Sequence, residues 1–290
     1  MIKILSSKRY EDTSKNYGDC IIGIDGQTAI IFDCGSEEHA KKAIKILDEH
    51  CIDKATVILS HNDDDHFKGI PYLIDKGRVS KLFTILLLKY KEELLDIIDD
   101  GRRNPSSIGD AIKELYDNIA TLSGTVALRD VYADKAELPS QTKRIGPNLE
   151  YMLQAVAKGL DGREGDTIDG ETITNAASVQ ISLTIGSTKL LLTGDCASEA
   201  IPDSEDLSKY SHIQLPHHGK PSLAEKLFER IGQNNDMIYV VSDNTGNSNG
   251  GSDDLNTRGR NIKNTQNGDV DITTFSSSSY NTYTRRTLGL

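Results

Sequence analysis

The sequence predicts an α/β protein, and three observations carry that prediction. Apolar runs of strand length, such as Ala55-Thr56-Val57-Ile58-Leu59-Ser60, alternate with stretches whose apolar residues recur at helical spacing, such as Ala40, Ala43, Ile44 and Leu47. Turn signals of the Asp-Gly and Gly-Ser type separate paired runs. At 290 residues, with 37% hydrophobic and 27% charged residues, the chain can bury a sizeable core, as one large α/β domain or two small ones.

Taken in order, Cys20 to Ile24 and Thr28 to Asp33 flank Asp25-Gly26 and read as a β-hairpin. Ser36 then stands as an N-cap with Glu37 and Glu38 in the first turn of a helix of about three turns. The strand at 55–60 follows and runs into His61-Asn62-Asp63-Asp64-Asp65-His66, read as a loop; a helix opens near Phe67, and Lys81 to Leu88 is another apolar strand. The order to this point is ββαβαβ. Residues 89–122 are helical and polar-faced, broken at Asn104-Pro105, and read as an insertion. Val126 to Val131 and Lys143 to Pro147 read as short strands, and Leu149 to Leu160 as a helix. Ser178 to Ile185 alternates, turns at Gly186-Ser187 and returns as Lys189 to Thr193. Ser211 to Pro216 is a further buried run, Ala224 to Ile231 a helix and Met237 to Ser242 a strand. Residues 243–267 are rich in Asn, Gly and Ser and read as a flexible loop; Asp269 to Thr273 reads as a last edge strand before a polar tail.

A net charge of -11 argues against broad, sequence-independent adhesion to nucleic acid or to an anionic membrane surface. No apolar run approaches membrane-spanning length, and Met1 to Leu5 is too short for a signal peptide, so a cytoplasmic protein is expected. Cys20, Cys34, Cys51 and Cys196 lack CxxC spacing and indicate reduced thiols rather than disulfides or a zinc knuckle.

Chemistry gathers where strands end. The strand at 55–60 leads into His61, Asp63, Asp65 and His66; the run ending at Thr193 leads into Gly194-Asp195; the run ending at Pro216 leads into His217-His218-Gly219. Side chains remote in sequence converge when their strands are neighbours in a sheet. Imidazoles and carboxylates so placed suit one or two divalent metal ions, which would generate a nucleophile from water. In isolation Asp195 reads as an ordinary Gly-Asp turn, and the 61–66 cluster as a solvated acidic loop; their coincidence favours a metal centre. His217 and His218, read as neighbours on a strand, point to opposite faces. On that basis His217 is the expected ligand and His218 contacts substrate or donates a proton. Asp33 is expected to orient a metal-bound histidine through its other ring nitrogen. His39, His50 and His212 read as packing or surface residues, as do Lys220, Arg258 and Arg260.

His61-x-Asp63-x-Asp65-His66 resembles the HxHxDH signature of the metallo-β-lactamase fold, with Asp63 at the second histidine. Asp33-Cys34-Gly35, Thr193-Gly194-Asp195 and Leu215-Pro216-His217-His218-Gly219 are similar to its other motifs, and their spacing from Asn175 and Ser178 resembles the competence-type (ComEC-like) DNA-uptake subgroup. The resemblance spans roughly residues 17–275. It implies one domain over 1–290, a four-layer αββα sandwich, and a site at one edge. It further implies metal ligands His61, Asp63, Asp65, His66, Asp195 and His217, with Asp65 and His218 catalytic and Asp33, Asn175 and Ser178 contacting ligands or substrate. Asp63 supplies oxygen where the family has nitrogen, hardening that position toward Mn²⁺ or Fe²⁺ over Zn²⁺. Asn175 stands near the place of a third-motif histidine that this chain lacks, and Asn249-Gly250-Gly251-Ser252 stands where the subgroup carries a GHP-like motif.

The expected activity is therefore that of a metal-dependent hydrolase of phosphodiesters, acting on nucleic acid or a cyclic or short nucleotide, with zinc or manganese. Hydrolysis of an ester, thioester or lactone by the same centre is the second enzymatic reading. A catalytically weak binding or scaffold protein, using the 89–122 insertion as a partner surface, is the reading from another class.

Overall fold

The computed structural model describes residues 1–12, 17–98, 105–115, 119, 121–122, 124–133, 136–161, 167–234, 236–242 and 251–272. Its strands are β1 (Ile2–Ile4), β2 (Ile21–Asp25), β3 (Thr28–Phe32), β4 (Ala55–Ile58), β5 (Val79–Thr84), β6 (Ala127–Asp130), β7 (Thr142–Gly146), β8 (Thr167–Ile168), β9 (Glu171–Thr172), β10 (Gln180–Ile185), β11 (Thr188–Leu192), β12 (His212–Gln214), β13 (Ile238–Val241), β14 (Asn261–Asn264) and β15 (Val270–Asp271). The helices are α1 (Glu37–Glu49), α2 (Asp64–Phe67), α3 (Ile70–Asp75), α4 (Lys91–Ile98), α5 (Pro105–Leu115), α6 (Leu149–Asp161), α7 (Ile173–Ala176) and α8 (Pro221–Ile231).

Two sheets carry the architecture, with strand orders β15-β1-β2-β3-β4-β5-β6 and β14-β13-β12-β11-β10-β7. In the first sheet β3 to β6 run parallel, and in the second β11 to β14 do. Their facing sides share one core, in which Ile30, Phe32, Ile58 and Phe83 of the first sheet meet Ile181, Leu183, Leu190 and Leu192 of the second. The outer face of the first sheet packs Ile31, Val57 and Leu82 against Ala40, Ala43 and Leu47 of α1 and Leu73 of α3. The outer face of the second packs Leu191, Ile213 and Tyr239 against Ala224, Leu227 and Phe228 of α8. The layers therefore run α, β, β, α, the sandwich expected from the motifs. Burial of both faces explains why the strands read as near-continuous apolar runs. It also explains why β10, alternating in sequence, is buried at five of its six positions.

Helix α1 starts where expected, because the Ser36 hydroxyl accepts from the His39 backbone N–H at 3.1 Å. The run at Met1 to Leu5, for which the sequence reading gives no element, forms β1, whose edges pair with β2 and β15. Three expectations need correction. The strand placed at Lys81 to Leu88 lies at Val79–Thr84, and a 3-10 turn at Leu87–Tyr90 leads into α4. Asp64, Asp65 and His66 belong to the short helix α2 rather than a loop. Of the loop expected at 243–267, residues 243–250 lie outside the described residues, while Asn261–Asn264 form β14, held parallel to β13. In the 89–122 segment the described residues include α4 and α5, and the expected polar tail lies beyond the described residues.

Candidate metal centre

The parallel strands of both sheets deliver their carboxyl ends to one edge, where α/β sheets present ligand-binding groups. Asp33 follows β3, Ser60 and His61 follow β4, Asp195 follows β11, and His217 and His218 follow β12. Asp19, just before antiparallel β2, lies at the same edge.

Asp33 anchors the first-sheet half. It is fully buried, and its Oδ1 accepts from the Ser60 backbone N–H while its Oδ2 accepts from the Ser60 hydroxyl, both at 2.7 Å. Oδ2 also accepts from His66 Nδ1 at 2.8 Å. With its hydrogen committed to Asp33, the Ser60 hydroxyl oxygen accepts from His61 Nδ1, 2.9 Å away; Ser178 Oγ lies 3.1 Å from the same nitrogen. One carboxylate thus fixes both imidazoles through their Nδ1 atoms and leaves both Nε2 atoms facing inward. Asp33 adopts a left-handed backbone at φ 56°, a strained conformation for a side chain other than glycine's. Two glycines are required by close approach. A Cβ on Gly35 would lie 1.9 Å from the Asp65 carbonyl oxygen, and one on Gly194 would lie 2.8 Å from the Ser60 side chain.

The second-sheet half is built differently. His217 and His218 are not on a strand: both have left-handed backbones, at φ 49° and 53°, so the opposite-faces expectation fails and both imidazoles turn toward the site. His217 Nδ1 donates to Glu171 at 2.7 Å, and His218 Nδ1 donates to the Ser242 carbonyl at 2.8 Å. Glu171, at the start of β9, is buried and also accepts from the Lys220 ammonium and, at 3.3 Å, from Asn175 Nδ2.

Asp195 stands between the halves. Its Oδ1 is 3.3 Å from His66 Nε2, and its Oδ2 is 3.8 Å from His217 Nε2 and 3.9 Å from His218 Nε2. Among the described residues, one ligand atom each of His61, His66 and Asp195 lie within 4.8 Å of one another, as do those of Asp65, His66 and His218. His61 Nε2, His66 Nε2 and Asp195 Oδ1 are buried without a hydrogen-bond partner, a costly arrangement unless a cation completes it. Nitrogen and carboxylate donors in two adjoining groups fit one or two divalent metal ions.

The remaining expected residues separate. Asp65 Oδ2 is 3.1 Å from His218 Nε2, which joins His218 to the ligand cluster, whereas the sequence reserves that role for His217. Asp63 sits at the mouth, its side chain 44% exposed and its Oδ2 3.8 Å from His61 Nε2, outside the tight groups. The Asn175 amide is turned to Glu171, and its Oδ1 is buried without a partner.

Two functional residues do not stand out in the sequence. Asp19 is fully buried, accepts from Gln214 across the two sheets, lies 3.4 Å from His218 Nδ1, and enters two of the metal-competent groups. Its signal is its place directly before an apolar strand, whereas the ligand-rich motifs all follow strand ends. Glu171 lies in a Gly/Asp-rich segment with no apolar context, and nothing local marks it.

Charge follows from this packing. Burial opposes charge on His66 and His218, but the carboxylates around them outweigh it and raise both well above the usual histidine range. Burial alone would raise Asp195, yet His66 and His218 hold it well below the usual carboxylate range. His61 goes the other way, pushed down to about 3 by burial and by the neighbouring His66. Burial lifts Asp63 to about 6.

No protein-family model and no curated protein matches this sequence. Solved structures show similarity. Zn²⁺-bound PqqB from Methylobacterium extorquens shares 12% identity over 94% of this chain and 100% of its own, with a TM-score of 0.46. The metallo-β-lactamase fold protein YhfI from Bacillus subtilis shares 16% identity over 73% of this chain and 70% of its own, with a TM-score of 0.42. The short form of human tRNase Z shares 10% identity over 82% of this chain and 92% of its own, with a TM-score of 0.41.

Proposed function

We propose that this chain is a metal-dependent hydrolase whose substrate is a phosphodiester, in nucleic acid or a cyclic or short nucleotide. One observation carries the reading: four histidines, each tied behind through Nδ1, surround the buried carboxylate of Asp195, with unpartnered buried donor atoms between them. His61, His66, Asp65, Asp195 and His218, with Asp63 at the mouth, would hold one or two zinc or manganese ions. A divalent ion there lowers the pKa of water and neutralises charge developing on a phosphoryl oxygen. The phosphodiester preference rests on the motif resemblance to the competence-type subgroup, and a cytoplasmic location is part of the same proposal. Among the described residues no helix is long and apolar enough to cross a membrane.

His217 takes the role first expected of His218. Its side chain is 15% exposed whereas that of His218 is 4% exposed, so His217 is the imidazole a substrate can reach. Glu171 receives its Nδ1 hydrogen and, with the Asp195 carboxylate, favours the charged ring against the cost of burial. A proton held at His217 Nε2 is available to a leaving oxygen. Asp33, Ser60 and Ser178 hold His61 and His66 still.

Metal analysis of purified protein, followed by turnover of bis(p-nitrophenyl) phosphate, a p-nitrophenyl ester and a lactone, tests the proposal. Metal at one or two equivalents with selective diester turnover is expected. Selective ester or lactone turnover overturns the substrate class, and a chain that neither retains metal nor hydrolyses any of the three after loading is a scaffold.

A further inference from the structure

The sheet edge that carries the metal centre also carries a second feature, one that the proposed chemistry does not use. A cleft of about 780 Å³ is lined by Lys8, Arg9, Lys41, Lys42 and Lys45, with Tyr10 among them. Five cations on one cleft stand out in a chain whose net charge is -11. Glu38 and Asp269 also line it, and Lys42 pairs with Asp269, leaving a net positive wall. Lys41 and Lys45 make exposed pairs with Glu37 and Glu49, of the kind that contribute little and exchange readily for another anion. Among the described residues Lys8 and Arg9 are exposed and have no acidic partner.

Topology places this cleft at the edge that carries the metal centre. β1 is antiparallel to β2, with Ile4 opposite Ile21, so Ser6 to Tyr10 emerge at the end where Asp19 enters. Residues 267–269 precede β15, whose Val270 lies opposite Ile4, and close the cleft from the other side. Lys41 and Lys45 lie on α1, which begins directly after Asp33-Cys34-Gly35. The back wall is continuous with the site as well. Tyr10 packs edge-on against Tyr17 and His39, with ring centroids 4.8 and 5.3 Å away; His39 Nδ1 bonds the Tyr17 carbonyl; Tyr17 is two residues from Asp19.

We infer that this cleft binds the sugar-phosphate backbone of a nucleic-acid strand whose scissile diester lies at the metal centre. The inference rests on the phosphodiester reading and sharpens it, since a mononucleotide would not extend into the cleft and a strand would. Lys41 and Lys45, one helical turn apart on α1, offer a repeating row of cations about 5–6 Å apart at their Cβ atoms. Contacts of this kind are to phosphate and are insensitive to base sequence. They also reconcile the acidic chain with a polyanionic substrate: attraction is confined to one track, and the rest of the surface repels.

The test uses the full-length, metal-loaded chain and a fluorescein-labelled single strand of about a dozen nucleotides with phosphorothioate linkages, followed by anisotropy from about 50 to about 200 mM salt. In the Lys8→Glu/Arg9→Glu/Lys45→Glu variant, Kd is expected to rise more than about tenfold, and the salt slope to shrink by about 0.7 for each phosphate left without its cation. The KM for a cleavable strand should rise with it, while kcat and turnover of bis(p-nitrophenyl) phosphate stay at wild-type values. The Lys45→Arg variant should bind as wild type does. Unchanged strand affinity in the triple variant overturns the inference, as does capture of the wild-type chain by anionic vesicles with no affinity for the strand. Small-diester turnover reads the proposed function separately: its presence beside unchanged strand binding rejects the cleft alone, and its absence in the wild type rejects the function.

Discussion

The two histidine pairs of the site are held in unlike ways. His61 and His66 follow β4 of the first sheet and share one buried anchor, Asp33, which reaches one imidazole directly and the other through the Ser60 hydroxyl. His217 and His218 sit in a left-handed turn beyond the second sheet, and each has its own anchor, a carboxylate for one and a backbone carbonyl for the other. The first arrangement fixes two donors with a single group. The second lets two adjacent residues do different work, His218 buried against Asp65 and Asp195 as a ligand, His217 partly open and backed by Glu171.

The largest effect expected from that difference separates the second pair. His218→Ala should weaken metal binding by more than about 100-fold, beyond the loss typical of a residue outside the ligand set. His217→Ala should keep its metal and lose turnover instead. Metal content measured beside kcat reads both at once, and equal metal loss in the two variants would erase the distinction between them.

Next in size is the contrast between anchors. An amide at position 33 cannot accept from His66 Nδ1, the Ser60 N–H and the Ser60 hydroxyl together, so Asp33→Asn should cost about 10–100-fold in metal affinity. Glu171→Gln should leave metal affinity near wild type, lower kcat about tenfold or more, and shift the pH profile of kcat. Isothermal titration with metal and a pH–rate series distinguish these, and a Glu171→Gln variant that fails to bind metal would return His217 to the ligand set.

A fifth histidine, buried outside the site, sharpens the comparison. His39 has the Tyr17 carbonyl as its partner rather than a carboxylate, and burial pushes it down to about 4. Its folded value lies below that of the unfolded chain, so the unfolded chain takes up the proton first. Stability contributed by neutral His39 is present above about pH 6.5 and is lost as pH falls toward 4, by up to about 3 kcal/mol. Denaturant melts of metal-free wild type and His39→Gln across that window should differ in slope, the variant being flatter.

The smallest effect concerns the seam between halves. Gly194 has φ 53° and touches Ser60, so Gly194→Ala should destabilise by about 1–2 kcal/mol and loosen His61 through Ser60. A thermal melt and a metal titration check it; a fully stable variant with unaltered metal affinity would show that the seam tolerates more than its spacing suggests.

Much of the site is legible in the chain before any fold is known. Strand ends carrying His61 to His66, Asp195 and His217-His218 announce a convergent site, because polar ligands after apolar runs have few other reasons to cluster. The layer order follows from the motifs, and the hairpins at 21–32 and 180–192 and the cap at Ser36 follow from periodicity and turn chemistry. Glu171 is silent because its role depends on a partner 46 residues away, and Asp19 because its partners Gln214 and His218 come from the other sheet. The division of labour between His217 and His218 is hidden because adjacency after an apolar run implies a strand, and left-handed backbone at two non-glycine residues has no local signal.

What the sequence by itself determined is the ligand set at the strand ends, His61 to His66, Asp195 and His217-His218, and most of the strands that carry it, since apolar periodicity and the placement of ligands at strand ends are properties of the chain alone. What only the tertiary structure decided is which nitrogen of each imidazole faces inward, which histidine stays open, and which lysines line one cleft. Those choices are made by hydrogen bonds and by packing between segments far apart in the chain, and such contacts exist only once the two sheets have closed on one another.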